Sequence, residues 1–97
     1  MKALFIAYSQ AYNRDVMELL DSFGQRGFTR WTDISGRGTR DGLPHMGDHA
    51  WPEMNHAMLS FVEDDEVAEK IVEALKEIDG RRPELGLRVF TWAVDPQ

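Results

Sequence analysis

Four short apolar runs and two longer amphipathic ones alternate along this chain. Lys2 to Tyr8 is a compact apolar stretch with aromatic content and reads as a buried strand. After Asn13, which can cap a helix, Val16, Leu19, Leu20 and Phe23 fall at i, i+3, i+4 and i+7, one helical face. Gly24 and Gly27 are expected to end that helix. Phe28 to Ile34 then alternates, with Phe28, Arg30, Thr32 and Ile34 on one side and Thr29, Trp31 and Asp33 on the other. A period of two is that of a strand.

The pattern is lost from Gly36 to about His56, a stretch with Gly36, Gly38, Gly42, Gly47, Pro44 and Pro52. A loop of about 20 residues inside a small domain is unusual and commonly functional. Ala57 to Val62 restores an apolar strand. Asp64 or Asp65 is placed to cap a second helix, whose buried stripe is Val67, Ile71, Val72, Leu75 and Ile78. Glu66, Glu69, Lys70, Glu73, Lys76 and Glu77 form its wet face, and Gly80 is expected to stop it. Leu87 to Val94 is the last strand.

The predicted order is βαββαβ with a long loop between the second and third strands. Two βαβ-like halves of this kind pack as a ferredoxin-like α+β fold, a four-stranded antiparallel sheet with both helices on one face. The whole chain, 1–97, is read as one domain. The other sheet face lacks a cover, and Trp31, Phe61, Phe90 and Trp92 supply bulky residues for one or both faces. An open apolar face calls for a partner, and self-association is the simplest one.

Composition narrows the function. The chain contains no cysteine, which excludes disulfides, a thiolate metal site and a Cys nucleophile. The formal net charge is −6, which opposes binding to a nucleic-acid backbone. Seven of the 17 acids lie between Glu63 and Glu77, as expected of a solvated helix face, and Arg26 to Arg40 is net basic. No apolar run approaches the ~20 residues of a membrane span, and the apolar start is too short for a secretion signal, so the expected location is cytoplasmic.

Two segments carry candidate chemistry. All three histidines, His45, His49 and His56, fall within one stretch, with Met46 and Met54 beside them. Imidazole suits Zn, Cu, Ni and Co, and thioether sulfur favours Cu(I), so the stretch is a candidate transition-metal site. The alternative is that His45 and His49 are turn residues and His56 opens the third strand. Gly36-Arg37-Gly38 can wrap backbone N–H groups around a phosphate, with Arg37, Arg40 or Arg88 adding charge. Arg88 otherwise reads as a strand residue on a polar edge. Enzyme chemistry finds little support: His49 with Asp48 or Glu53 could do acid–base work, but nothing places a substrate beside them. The serines lie in no nucleophile motif, and Asp64 and Asp65 sit where a helix start favours acid.

Ser35-Gly36-Arg37-Gly38-Thr39-Arg40 and Gly80-Arg81-Arg82-Pro83-Glu84-Leu85-Gly86-Leu87-Arg88-Val89-Phe90, together with the element order and the long loop, resemble the PII signalling family. The first segment is similar to the start of that family's T-loop and the second to its B-loop. The resemblance implies a non-enzymatic sensor, a homotrimer with sheets facing inward. ADP or ATP would sit in clefts between subunits, held by Gly36, Arg37, Gly38, Arg40 and Arg88. It further implies that the loop at about 36–56 reports the bound small effector to a protein partner such as a membrane transporter. The trimeric CutA proteins of divalent-ion tolerance share this architecture. They suggest the alternative of a metal-binding module for metal tolerance or homeostasis, with His45, His49 and His56 as ligands.

Overall fold

The computed structural model describes residues 1–35, 55–82 and 85–97. The first strand, β1 (Lys2–Ser9), alternates as its sequence requires: Leu4, Ile6 and Tyr8 are buried on one face, and Ala3, Phe5 and Ala7 occupy the other. A 3-10 turn (Gln10–Tyr12) follows, opened by the Ser9 hydroxyl accepting from the Ala11 N–H at 3.3 Å. It runs directly into α1 (Asn13–Ser22). Val16 and Leu20 of the expected stripe are fully buried, and Leu19 and Phe23 pack partly against the core.

Of the two glycines after α1, Gly24 alone closes the helix. Its N–H reaches the Asp21 carbonyl at 2.9 Å, and its φ of 73° turns the chain so that the Gln25 N–H reaches the Leu20 carbonyl at 2.9 Å. This is the paired backbone arrangement that satisfies the last carbonyls of a helix. At the second helix, α2 (Asp65–Arg81), Asp64 is the cap: one carboxylate oxygen accepts from the N–H groups of Glu66 at 2.8 Å and Val67 at 3.3 Å. Gly80 does not stop α2; it lies in the last turn, and Arg82 is the C-cap.

The remaining strands are β2 (Thr29–Ile34), β3 (Asn55–Val62) and β4 (Leu87–Ala93). The sheet order is β2-β3-β1-β4, with every pairing antiparallel. Leu4, Ile6, Tyr8, Met58 and Val62 from the sheet form one cluster with Val16, Leu20, Ile71, Leu75 and Ile78 from the helices. Both helices therefore cover the same face, the expected ferredoxin-like α+β arrangement.

β3 begins at Asn55, two residues earlier than the apolar run suggests. Pairing extends it, since Asn55 and His56 stand opposite Ser9 and Tyr8. β2 departs from strict alternation. Between Trp31 and Ile34 the register with β3 slips by one residue, and Asp33 adopts φ 55°. A bulge with a left-handed residue bends the end of the strand leading into residue 35.

The face away from the helices carries three cross-sheet rows. Trp92, Ala3 and Phe61 form one; Phe90, Phe5, Leu59 and Thr29 the next; Arg88, Ala7, Ala57 and Trp31 the third. Trp31, Phe61, Phe90 and Trp92 are about half exposed, from 47% to 57%. All four aromatics thus belong to the open face.

Candidate functional site at the loop end of the sheet

The register brings three connections to one end of the sheet. Ser9, ending β1, stands opposite Asn55; Ile34, ending β2, also stands opposite Asn55; Tyr8 stands opposite Leu87, which opens β4. The β1–α1 connection, both roots of the long segment and the α2–β4 turn are therefore neighbours. Arg88 lies at this end, exposed, on the open face beside Ala7. It is the charged member of an otherwise apolar row, Arg88, Ala7, Ala57 and Trp31. Gly36, Arg37, Gly38, Arg40, His45 and His49 lie outside the described residues.

His56 sits on the helix side of β3. Its ring meets Tyr8 edge-on, with centroids 5.7 Å apart and planes at 82°, and its Nδ1 lies 3.2 Å from the Asn55 carbonyl. The residue is only 9% exposed, so packing accounts for its position. Among the described residues, no three of His, Asp and Glu gather as a metal-holding group.

Sequence reading passed over a polar cluster on the helix side of this end. Asn13, expected as a cap, is the first residue of α1. Its Oδ1 accepts from the Tyr8 hydroxyl at 2.8 Å and from Arg30 Nη1 at 3.2 Å. The Arg30 guanidinium also lies over the Phe28 ring, 5.8 Å from its centroid. Only the alternation that put Phe28 and Arg30 on one side hinted at this. Burial holds the Tyr8 hydroxyl above the usual phenol range, and the nearby Arg30 partly offsets it.

The sign of that shift gives a test. A raised phenol pKa favours the neutral form in the folded state. The associated stability is present below about pH 10 and is lost as pH climbs through the folded value. Tyr8→Phe should cost about 1 kcal/mol at pH 7.5 through the lost bond to Asn13. Its deficit should shrink at pH 10.5, where the phenol of the unfolded parent ionises and the folded state, which holds it neutral, gains less from it. Urea unfolding at both pH values decides it, and an equal deficit at both would rule the argument out.

The α2–β4 turn is fastened on several sides. The Tyr12 hydroxyl donates to the Arg82 carbonyl at 2.6 Å, and the Leu85 N–H donates to the same oxygen at 3.0 Å. The Ser9 N–H donates to the Gly86 carbonyl at 3.1 Å, and the Leu87 N–H to the Asp79 carboxylate at 3.1 Å. Gly86 has φ 84°, which only glycine adopts cheaply. A groove of about 750 Å³ lies elsewhere, along α2 and Thr91. Lys2, Glu66, Glu69, Lys70 and Glu73 line it, charges of both signs on a solvated surface. No buried side-chain polar atom among the described residues lacks a hydrogen-bond partner, so none is left aimed into that groove. The loop end of the sheet remains the better candidate.

A small ferredoxin-like domain with three connections gathered at one sheet end and an apolar open face is the class of protein defined so far. The family model described as "Nitrogen regulatory protein P-II" matches residues 1–95, and the chain belongs to that family. The solved structures it resembles include CPII from Thiomonas intermedia K12 bound to ADP and bicarbonate. That match has 21% identity and a TM-score of 0.73, and it covers 94% of this chain and 82% of the other. CPII bound to ADP, AMP and bicarbonate has 20% identity and a TM-score of 0.75, with the same coverage. A candidate PII-like signaling protein from Thermus thermophilus has 21% identity and a TM-score of 0.64, again over 94% and 82%. No curated protein matches. No helix among the described residues is long and apolar enough to cross a membrane.

Proposed function

We propose that this protein is a non-enzymatic, cytoplasmic PII-like sensor. It acts as a homotrimer with adenine nucleotide in the clefts between subunits. The observation that carries this reading is the convergence of the roots of the long segment, the α2–β4 turn and Arg88 at one sheet end, beside an uncovered apolar face. Packing three such faces together places each loop end against a neighbouring subunit. Family membership supports the regulatory role, and the ADP and bicarbonate in CPII support the ligand class. The whole chain forms one PII-like unit, with 36–56 as its T-loop. Gly36, Arg37, Gly38 and Arg40 approach the phosphates from the start of that loop, and Arg88 from β4. Nucleotide binding, with bicarbonate as a second effector, orders the loop, and a protein partner such as a membrane transporter reads the ordered form. The reading of His45, His49 and His56 as metal ligands gains nothing from the packed position of His56.

Calorimetry with ADP tests the proposal. Arg88→Ala should weaken binding by roughly 1.5–3 kcal/mol, the value of one charge-assisted contact. Absence of heat with any adenine nucleotide at millimolar concentration would leave only the fold in common with CPII.

A further inference from the structure

We propose that Tyr12 and Asp79 are positioning residues for the nucleotide, fixing the backbone at residues 82 and 85–87 so that Arg88 and the backbone just before it meet the phosphates. The inference rests on the nucleotide reading above and assigns a task to two side chains which that reading does not otherwise use.

The geometry is specific. The Tyr12 ring is 4% exposed and belongs to the core cluster, yet its hydroxyl emerges at the turn and holds the Arg82 carbonyl from 70 residues away. Asp79, in the last turns of α2, directs its carboxylate to the N–H of Leu87, the residue before Arg88. Residues 82, 86 and 87 are thereby tied to the 3-10 turn, to β1 and to α2. Leu85, 7% exposed, is an apolar anchor between them. The pairing of β4 with β1 runs from Leu87 to Ala93, so both side-chain ties act at or before the first residue of the strand. Their consequence is to fix where the strand begins.

Charge supports the same assignment. Arg81, Arg82 and Arg88 bracket the turn in a chain whose net charge is −6. A turn fastened before the ligand arrives does not have to lose backbone freedom on binding. Loosening it should appear as weaker affinity.

The experiment is ADP calorimetry on the full chain carrying Tyr12→Phe, Asp79→Ala or Asp79→Asn, with thermal melts of each. Tyr12→Phe keeps the ring in the core, and the Asn amide oxygen can still accept from Leu87. Tyr12→Phe and Asp79→Ala should each raise the ADP Kd by about fivefold, the effect of one lost hydrogen bond. Asp79→Asn should restore parental affinity. If the parent binds ADP and Tyr12→Phe and Asp79→Ala bind it equally well, the positioning role is overturned while the nucleotide site stands. If Asp79→Asn binds as weakly as Asp79→Ala, the carboxylate acts by charge and positioning is again overturned. Weaker binding that merely tracks a lower melting midpoint across all three variants also overturns it. A parent that binds no nucleotide removes the reading beneath it and the inference together.

Discussion

Phe90→Asp is expected to convert the proposed homotrimer into a monomer of 11.1 kDa. Phe90 is 57% exposed on the open face and stands opposite Phe5 in the central row of that face. Trp92, Phe61 and Trp31 flank it in the adjoining rows, each about half exposed. Covering half of such a ring removes on the order of 100 Å² from water, or about 2–3 kcal/mol per ring. Four rings per subunit give a driving force on the order of 10 kcal/mol before the cost of association. An aspartate at the centre reverses this locally, because an unpaired carboxylate costs several kcal/mol to bury. Phe90 lies outside the core cluster, so the monomer should keep its fold and its circular dichroism. Light scattering on a sizing column should report about three times 11.1 kDa for the parent and the chain mass for the variant. ADP binding should be lost with the trimer if the clefts lie between subunits. A parent that runs as a monomer at micromolar concentration, or a variant that stays trimeric, would reject the open face as the interface.

Leu75→Ala should produce the largest loss of stability. Leu75 is fully buried on the α2 stripe with Ala68, Ile71 and Ile78, in the cluster that also holds Leu4 and Ile6 of β1. Removing its branched end forfeits the transfer energy and leaves a cavity, at a cost of about 2–5 kcal/mol. Domains of this size are stable by roughly 5–15 kcal/mol, so the change consumes a large share. Lys76, the next residue, lies on the wet face, and its contact with Glu73 at 3.8 Å joins two well-exposed side chains. Lys76→Ala should therefore stay within about 0.5 kcal/mol of the parent. Urea unfolding should compare all three proteins at one protomer concentration, because assembly adds to apparent stability. Similar losses from the two substitutions would contradict the orientation of α2.

The helices and their limits were legible in the sequence where a local rule sufficed. A stripe at 3.6-residue spacing names its own buried face, so Val16, Leu20, Ile71, Leu75 and Ile78 could be read without knowing what covers them. Asp64 and Gly24 act within a few residues of themselves, and their roles were visible for the same reason. Gly80 shows the limit of such rules. Glycine favours a helix end but does not compel one, and α2 continues to Arg81, beyond the Asp79 that holds Leu87. Arg88 and the turn before it could be singled out because their residue types and order resemble a known loop.

Only tertiary structure decided the rest. Alternation says which strand residues share a face and leaves open which face the helices cover. The pairing β2-β3-β1-β4 put Trp31, Phe61, Phe90 and Trp92 together on the uncovered side. The same pairing drew His56 into β3 against Tyr8, where position in a polar segment had suggested a ligand. Asn13 exchanged a capping role for Tyr8 and Arg30 because antiparallel strands brought Arg30 beside it. The Tyr12 bond to Arg82 spans 70 residues. Contacts between distant segments leave no periodic trace along the chain, because their geometry exists only once the sheet has closed its register.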